Sequence, residues 1–240
     1  MPTPLDIVFA SLFSIAIVVI GGAYVDRRFK GQLAAGVPHA RLNWYRLTLV
    51  GEWVLAAMTL ALWSKEGRPW RALGLVPPGD WRLYVGLGLA IGIGVMLVRQ
   101  NGRVRALPPD RLQRLAPKFA DVVFIIPRSA REYRWFQAVS WTAGVCEELL
   151  YRGFLTWIVA AYAGAAAALV IVSLAFGSGH AYQGRKGVLK TAAVGFVLGC
   201  VVLLGGWLIP AMFIHGVVDS SSGVAGFAVL RHGDGRLAPD

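Results

Sequence analysis

IVFASLFSIAIVVIGGAYV, residues 7–25, runs for nineteen positions without a charged side chain and is closed by Asp26-Arg27-Arg28. An α-helix rises about 1.5 Å per residue, so roughly 20 apolar residues cross the ~30 Å hydrocarbon core of a bilayer. The run is longer than a signal-peptide core, and Met1 to Asp6 lacks the basic start of such a peptide. It is read as a retained first span. Further apolar runs follow at Trp44–Trp63, Trp81–Val98, Trp135 to about Val159, Ala165–Phe176, Val188–Leu204 and Trp207–Leu230, with a break at Gly164. Trp44, Trp63, Trp81, Trp135 and Trp207 stand at run ends, where interfacial aromatics belong.

The composition agrees with this solvent. Of 240 residues, 56% are hydrophobic and only 15% charged, against about a quarter charged in a soluble domain. The expected fold is therefore an all-α polytopic transmembrane bundle of about seven spans. A net charge of +11 would point to nucleic acid in a soluble protein. Here alternate loops carry nearly all the loop Lys and Arg, most densely between Arg99 and Arg134. That asymmetry places the amino terminus outside and the carboxyl terminus in the cytoplasm, and removes the reason to expect a nucleic-acid partner. The piece Phe119–Ile126 within the basic loop is too short to cross and reads as interfacial. Cys146 and Cys200 lie in apolar stretches and read as small buried hydrophobes. The chain divides into amino-terminal spans with a basic loop (1–134), a polar-bearing helical core (135–230) and a short cytoplasmic tail (231–240).

That core collects the exceptions. Glu147, Glu148, Arg152, His215 and Asp219 fall inside apolar runs and His180 at a run end, whereas residues 1–134 place only Glu52 within one. Each charge at bilayer depth costs on the order of 3 kcal/mol, so a cluster marks function. On a helix Glu148 and Arg152 stack four apart, acid first, as an ion pair. Glu147, turned about 100° away, is left free to face a cavity. His215 and Asp219 share a face by the same spacing. Glu52 could reach the site from the second span, but pairing with a basic residue near a helix end is the expected role. Trp141, Tyr151 and Cys146 are expected to pack. Ser220, Ser221 and Ser222 lack the Gly-x-Ser-x-Gly turn of a serine nucleophile.

Glu-Glu-x-x-x-Arg at 147–152, Phe-x-x-x-His at 176–180 and His-x-x-x-Asp at 215–219, in that order and on separate runs, resemble the intramembrane proteases of the CAAX-protease and bacteriocin-processing family. The resemblance covers about 135–225. It implies an endopeptidase that hydrolyses a peptide bond near the cytoplasmic face without a covalent intermediate. Glu147 would activate water, His180 would help bind it, His215 with Asp219 would face the oxyanion, and Glu148 with Arg152 would hold the site in shape. The family's final motif often ends in asparagine; Asp219 as a charged carboxylate opposes an oxyanion, so it must be protonated, orient His215 or bind metal.

Glu147, His180, His215 and Asp219 are also competent zinc ligands, which keeps a zinc-dependent version of the protease as an alternative to the favoured reading without a cofactor. A transporter or scaffold with a proton path through the same residues is the competing class. The implied partners are membrane lipid and a membrane-anchored or lipidated polypeptide substrate, such as a prenylated protein, a bacteriocin-related peptide or a sorting tail. Arg and Ala richness points to the cytoplasmic membrane of a bacterium.

Overall fold

The computed structural model describes residues 1–15 and 26–233, and every regular element among them is helical. Helices α1 (Pro4–Ile15) and α2 (Asp26–Ala34) precede the long α3 (Ala40–Lys65) and α4 (Arg82–Arg105). A short α5 (Pro109–Gln113) and a 3-10 turn (Ala116–Val122) lead to α6 (Ala130–Glu147). A π-helical segment (Glu148–Leu155) joins α6 to α7 (Thr156–Gly179). After a 3-10 turn (Ala181–Gln183) come α8 (Gly184–Gly205) and α9 (Ile209–Gly233).

Among the described residues, five segments are long and apolar enough to cross a membrane: Ala40–Lys65, Arg82–Arg105, Ala130–Gly179, Ala181–Gly205 and Ile209–Arg231. The all-helical membrane bundle expected from sequence is thus the architecture observed. The span count differs for two reasons. The expected first span is described only as far as Ile15, its remainder lying outside the described residues. The expected fourth and fifth spans join in the 50 residues Ala130–Gly179. At 1.5 Å per residue that segment would reach about 75 Å, more than twice the hydrocarbon thickness. It is interrupted at Gly164, where φ 79° and ψ 164° leave the helix. A Cβ there would meet nothing within 4 Å, so glycine is required by the backbone angle rather than by space.

Contacts define two ends of the bundle. At one, Asp6 of α1 bonds Arg68 after α3 at 2.8 and 2.5 Å, and the Arg68 guanidinium covers the Trp63 and Trp157 rings. The Gly74 carbonyl accepts from the Leu208 amide at the same end. At the other, Arg41 and Tyr45 of α3 donate to the carbonyls of Phe124 and Ile125, pinning the piece after the 3-10 turn. Tyr182 packs its ring on Phe124 there. Trp157 therefore lies at the Arg68 end and His180 near the Phe124 end, so the chain beyond Gly164 leads back across the bundle.

Large apolar side chains face outward along these helices, as with Leu12, Ile91 and Leu189. The interior holds Trp63, Phe154, Cys146, Leu150 and Phe176. Helix α6 packs on α9 and on α3, and α7 packs on α8. The α6–α9 contact is a backbone approach. A Cβ on Gly144 would come within 2.7 Å of the Gly216 nitrogen and the Met212 carbonyl oxygen, and Gly216 itself lies under the Trp141 ring. Small residues permit such closeness in lipid. The glycines of α4 divide in two: Gly86 lies against Pro210 and Trp207 and Gly94 against Phe213, whereas Gly88 and Gly92 face open space.

Gly144→Ala is expected to force α6 off α9 at a cost of about 1–3 kcal/mol. Gly88→Ala, with nothing to strike, should leave stability unchanged or raise it by up to about 1 kcal/mol through helix propensity. Thermal unfolding of the two variants in detergent checks the contrast.

Candidate active site

The site is assembled where α6 ends. From Glu148 the helix widens into eight residues of π-helix, and the Thr156 hydroxyl closes the segment by donating to the Tyr151 carbonyl at 2.8 Å. π-Helical turns are rare and concentrate at functional positions. The widened segment is buried from Glu148 through Phe154, so its polar side chains must find partners inside the bundle.

Glu148 is fully buried, and its Oε1 accepts from Arg152 Nη1 at 2.8 Å and from His215 Nδ1 at 2.9 Å. Arg152 also lays its guanidinium 4.0 Å from the centre of the Phe176 ring. A Cβ on Gly195 of α8 would fall 2.8 Å from Arg152 Nη2, so α8 must be bare at that point to admit the guanidinium. One carboxylate oxygen thus ties the π segment to α9, and the arginine ties it to α7 and α8.

Because Nδ1 of His215 donates to Glu148, the ring presents Nε2 to the other acids. Glu147 Oε2 stands 3.7 Å from Nε2 and Asp219 Oδ2 stands 3.5 Å from it. Consecutive glutamates therefore bracket one imidazole from its two nitrogens. Side-chain exposure grades from 0% at Glu148 through 20% at Glu147 to 40% at Asp219. The site is sealed behind Glu148 and opens past Asp219. Glu147 Oε2 has no hydrogen-bond partner in the protein, as is true of Glu148 Oε2.

His180 closes α7. Its Nδ1 lies 2.9 Å from the Phe176 carbonyl oxygen, which can only accept, so Nδ1 carries the proton and the neutral ring keeps Nε2 as an acceptor. The Phe176 ring stands between the two histidines, edge-on to His215 at 5.7 Å and tilted against His180 at 4.9 Å, and it also meets Tyr151 at 5.1 Å. The phenylalanine of the Phe-x-x-x-His motif is the apolar hub on which both histidines rest.

With this geometry in hand, residues 130–221 match the family model described as type II CAAX prenyl endopeptidase Rce1-like. Over those residues the chain is similar to the CAAX-protease family. All six polar residues of the three motifs fall within the matched segment, while α1 to α4 lie before it. No curated protein and no solved structure matches the chain. The family supports a protease, hence a polypeptide substrate, in an integral membrane setting.

The candidate metal donors are the acids and histidines of the same cluster. Among the described residues no three His, Cys, Asp or Glu side chains gather as the ligands of one ion. His215 commits Nδ1 to Glu148, and His180 commits Nδ1 to a carbonyl. Each histidine keeps Nε2 open, and no step below runs through a metal.

Two features escaped the sequence, and a third differs from its expected role. The π segment has no composition of its own. Glu52 of α3 was expected to pair with a basic residue, but among the described residues it is in no ion pair, and its Oε2 is buried without a hydrogen-bond partner. Its neighbour Trp53 donates from Nε1 to the Thr142 hydroxyl and joins α3 to α6. A single acid in an apolar run was the available signal. Tyr182 is the other to escape, a residue no motif contains. Of the flanking residues, Cys146 and Tyr151 are buried, while Trp141 is 42% exposed and covers Gly216 with one face.

Arg152→Ala removes the guanidinium from a sealed carboxylate. Breaking a buried pair in this way costs about 3–5 kcal/mol, so the variant should show a lowered yield of folded protein and a lowered melting temperature in detergent.

Proposed function

We propose that the protein is an intramembrane endopeptidase in which Glu147 activates water to hydrolyse a peptide bond of a membrane-anchored polypeptide near the cytoplasmic face. The observation that carries the reading is the division of labour between adjacent acids. Glu148 is sealed by Arg152 and His215, whereas Glu147 keeps a carboxylate oxygen free of hydrogen bonds beside His215 in the family-matched core.

In this reading a water molecule donates one hydrogen bond to Glu147 and another to Nε2 of His180, whose Nδ1 is held by the Phe176 carbonyl. As the water oxygen adds to the carbonyl carbon, Glu147 takes its proton. When the carbon–nitrogen bond breaks, Glu147 returns a proton to the leaving nitrogen. Asp219 orients His215 from the open side, since a carboxylate facing an oxyanion would oppose it. The chain would cross the membrane seven times, amino terminus outside and carboxyl terminus in the cytoplasm, in a bacterial cytoplasmic membrane. Its substrates would be tails held at the bilayer by a lipid or an apolar segment, because a soluble peptide reaches such a site poorly. No cofactor takes part.

In vesicles carrying the full chain and a lipid-anchored reporter peptide, Glu147→Gln and His180→Ala should each lower cleavage at least 100-fold with unchanged melting temperature. Full cleavage by both variants removes the protease. Chelator followed by added zinc should leave the wild-type rate unchanged; loss on chelation with recovery on zinc would replace the water–glutamate mechanism by a metal one.

A further inference from the structure

Arg152 has two working ends. Its Nη1 is spent on Glu148, whereas its Nη2 points toward α8, 2.8 Å from where a Cβ of Gly195 would stand. Glycine leaves that spot bare. The nitrogen has no hydrogen-bond partner in the protein, although the side chain is only 2% exposed. A buried N–H of a charged group is costly without an acceptor, and such groups are almost always met.

Arg152 and Gly195 both line a cavity of about 30 Å³ between the π segment, α7 and α8, so Nη2 borders it. Gly199 keeps α8 bare one turn further on, where a Cβ would strike Leu169. Besides Arg152, the polar side chains lining the cavity are Thr156 and Ser173. Both hydroxyls give their protons to backbone carbonyls, Thr156 to Tyr151 at 2.8 Å and Ser173 to Leu169 at 2.5 Å. Each oxygen therefore has lone pairs, and no proton, left for a guest.

This pattern selects the occupant. The guest must accept from Arg152 Nη2 and donate to a hydroxyl oxygen. A hydrocarbon chain from the lipid does neither and leaves the N–H unmet. An anion accepts, but the two hydroxyls have no proton to give it. A cation is repelled by the guanidinium. Water both accepts and donates. It needs roughly 10–15 Å³ and two to four polar partners, which this cavity supplies.

We propose that the cavity is a hydration site, in which an ordered water accepts from Arg152 Nη2 and donates to the hydroxyl oxygen of Ser173 or Thr156. This water is structural and distinct from the one that hydrolysis consumes. It completes the set of partners of a guanidinium otherwise held by Glu148 and by the face of the Phe176 ring. Through Arg152 it steadies Glu148, and through Glu148 the ring of His215. The hydration site does not depend on the proteolytic reading, because its tests read structure and stability rather than cleavage.

In crystals of the full-length protein, solvent density should lie within about 3.2 Å of Arg152 Nη2. Xenon under pressure, which enters dry apolar cavities, should not occupy this one. Ser173→Val removes an acceptor and puts methyl groups into the cavity. It should lower the melting temperature by about 2–4 °C, the size of one lost buried hydrogen bond in a chain of this length. A dry cavity gives the opposite sign, since filling it adds apolar contact. Xenon in place of solvent at Nη2 overturns the proposal, as does an unchanged or raised melting temperature in Ser173→Val. Exchange of chloride for gluconate should leave wild-type melting unchanged; a shift that follows chloride assigns the cavity to a halide and overturns hydration.

Discussion

A single oxygen atom, Oε1 of Glu148, holds the polar interior together. It receives Arg152 from the same π segment and His215 from α9, with no exposure to solvent. Burying a carboxylate in an apolar bundle is tolerable only when its charge is met by close donors, and removing either donor leaves the other two groups stranded. The position of His215 follows from this bond, and the direction of its second nitrogen follows from the position. Glu147 and Asp219 then meet that nitrogen from the open side. The chemistry of the site thus depends on an acid that takes no direct part in it.

The remaining packing serves to bring α6 and α9 close enough for that bond. Gly144 and Gly216 allow the two backbones to touch, and the bare position at Gly195 on α8 leaves room for the arginine. Phe176 fills the space beneath both histidines and the guanidinium with one ring. Dispersion and small-residue contacts replace the hydrophobic drive that lipid removes. The outward Leu, Ile and Val side chains need no other explanation than their solvent.

Much of this was legible in the residues. Long uncharged runs declare a bilayer because the backbone can satisfy itself there only as helix. Charges inside those runs are expensive enough to mark the site by their presence alone, and the three motifs carry a resemblance that the family match at 130–221 supports. What stayed hidden depends on the third dimension. Glu52 lies nearly a hundred residues from Glu147, and only the packing of α3 on α6 decides that its carboxylate is buried without a partner rather than paired with a base. Tyr182 is one tyrosine among seven until its turn is folded against His180 and Phe124. The break at Gly164, by contrast, was legible, and it is a single backbone angle inside a helical run.

The π segment adjusts phase between two packing registers. Upstream, α6 is locked to α9 through Gly144; downstream, Trp157 is locked against Trp63 and Phe154. An unbroken α-helix would carry one rotation through both contacts. The wider turn lets the two halves keep separate alignments and concentrates the mismatch at Glu148–Arg152. A deletion within 148–155 would therefore act as a twist, turning one half of the helix relative to the other while leaving every polar residue outside the deletion in the chain.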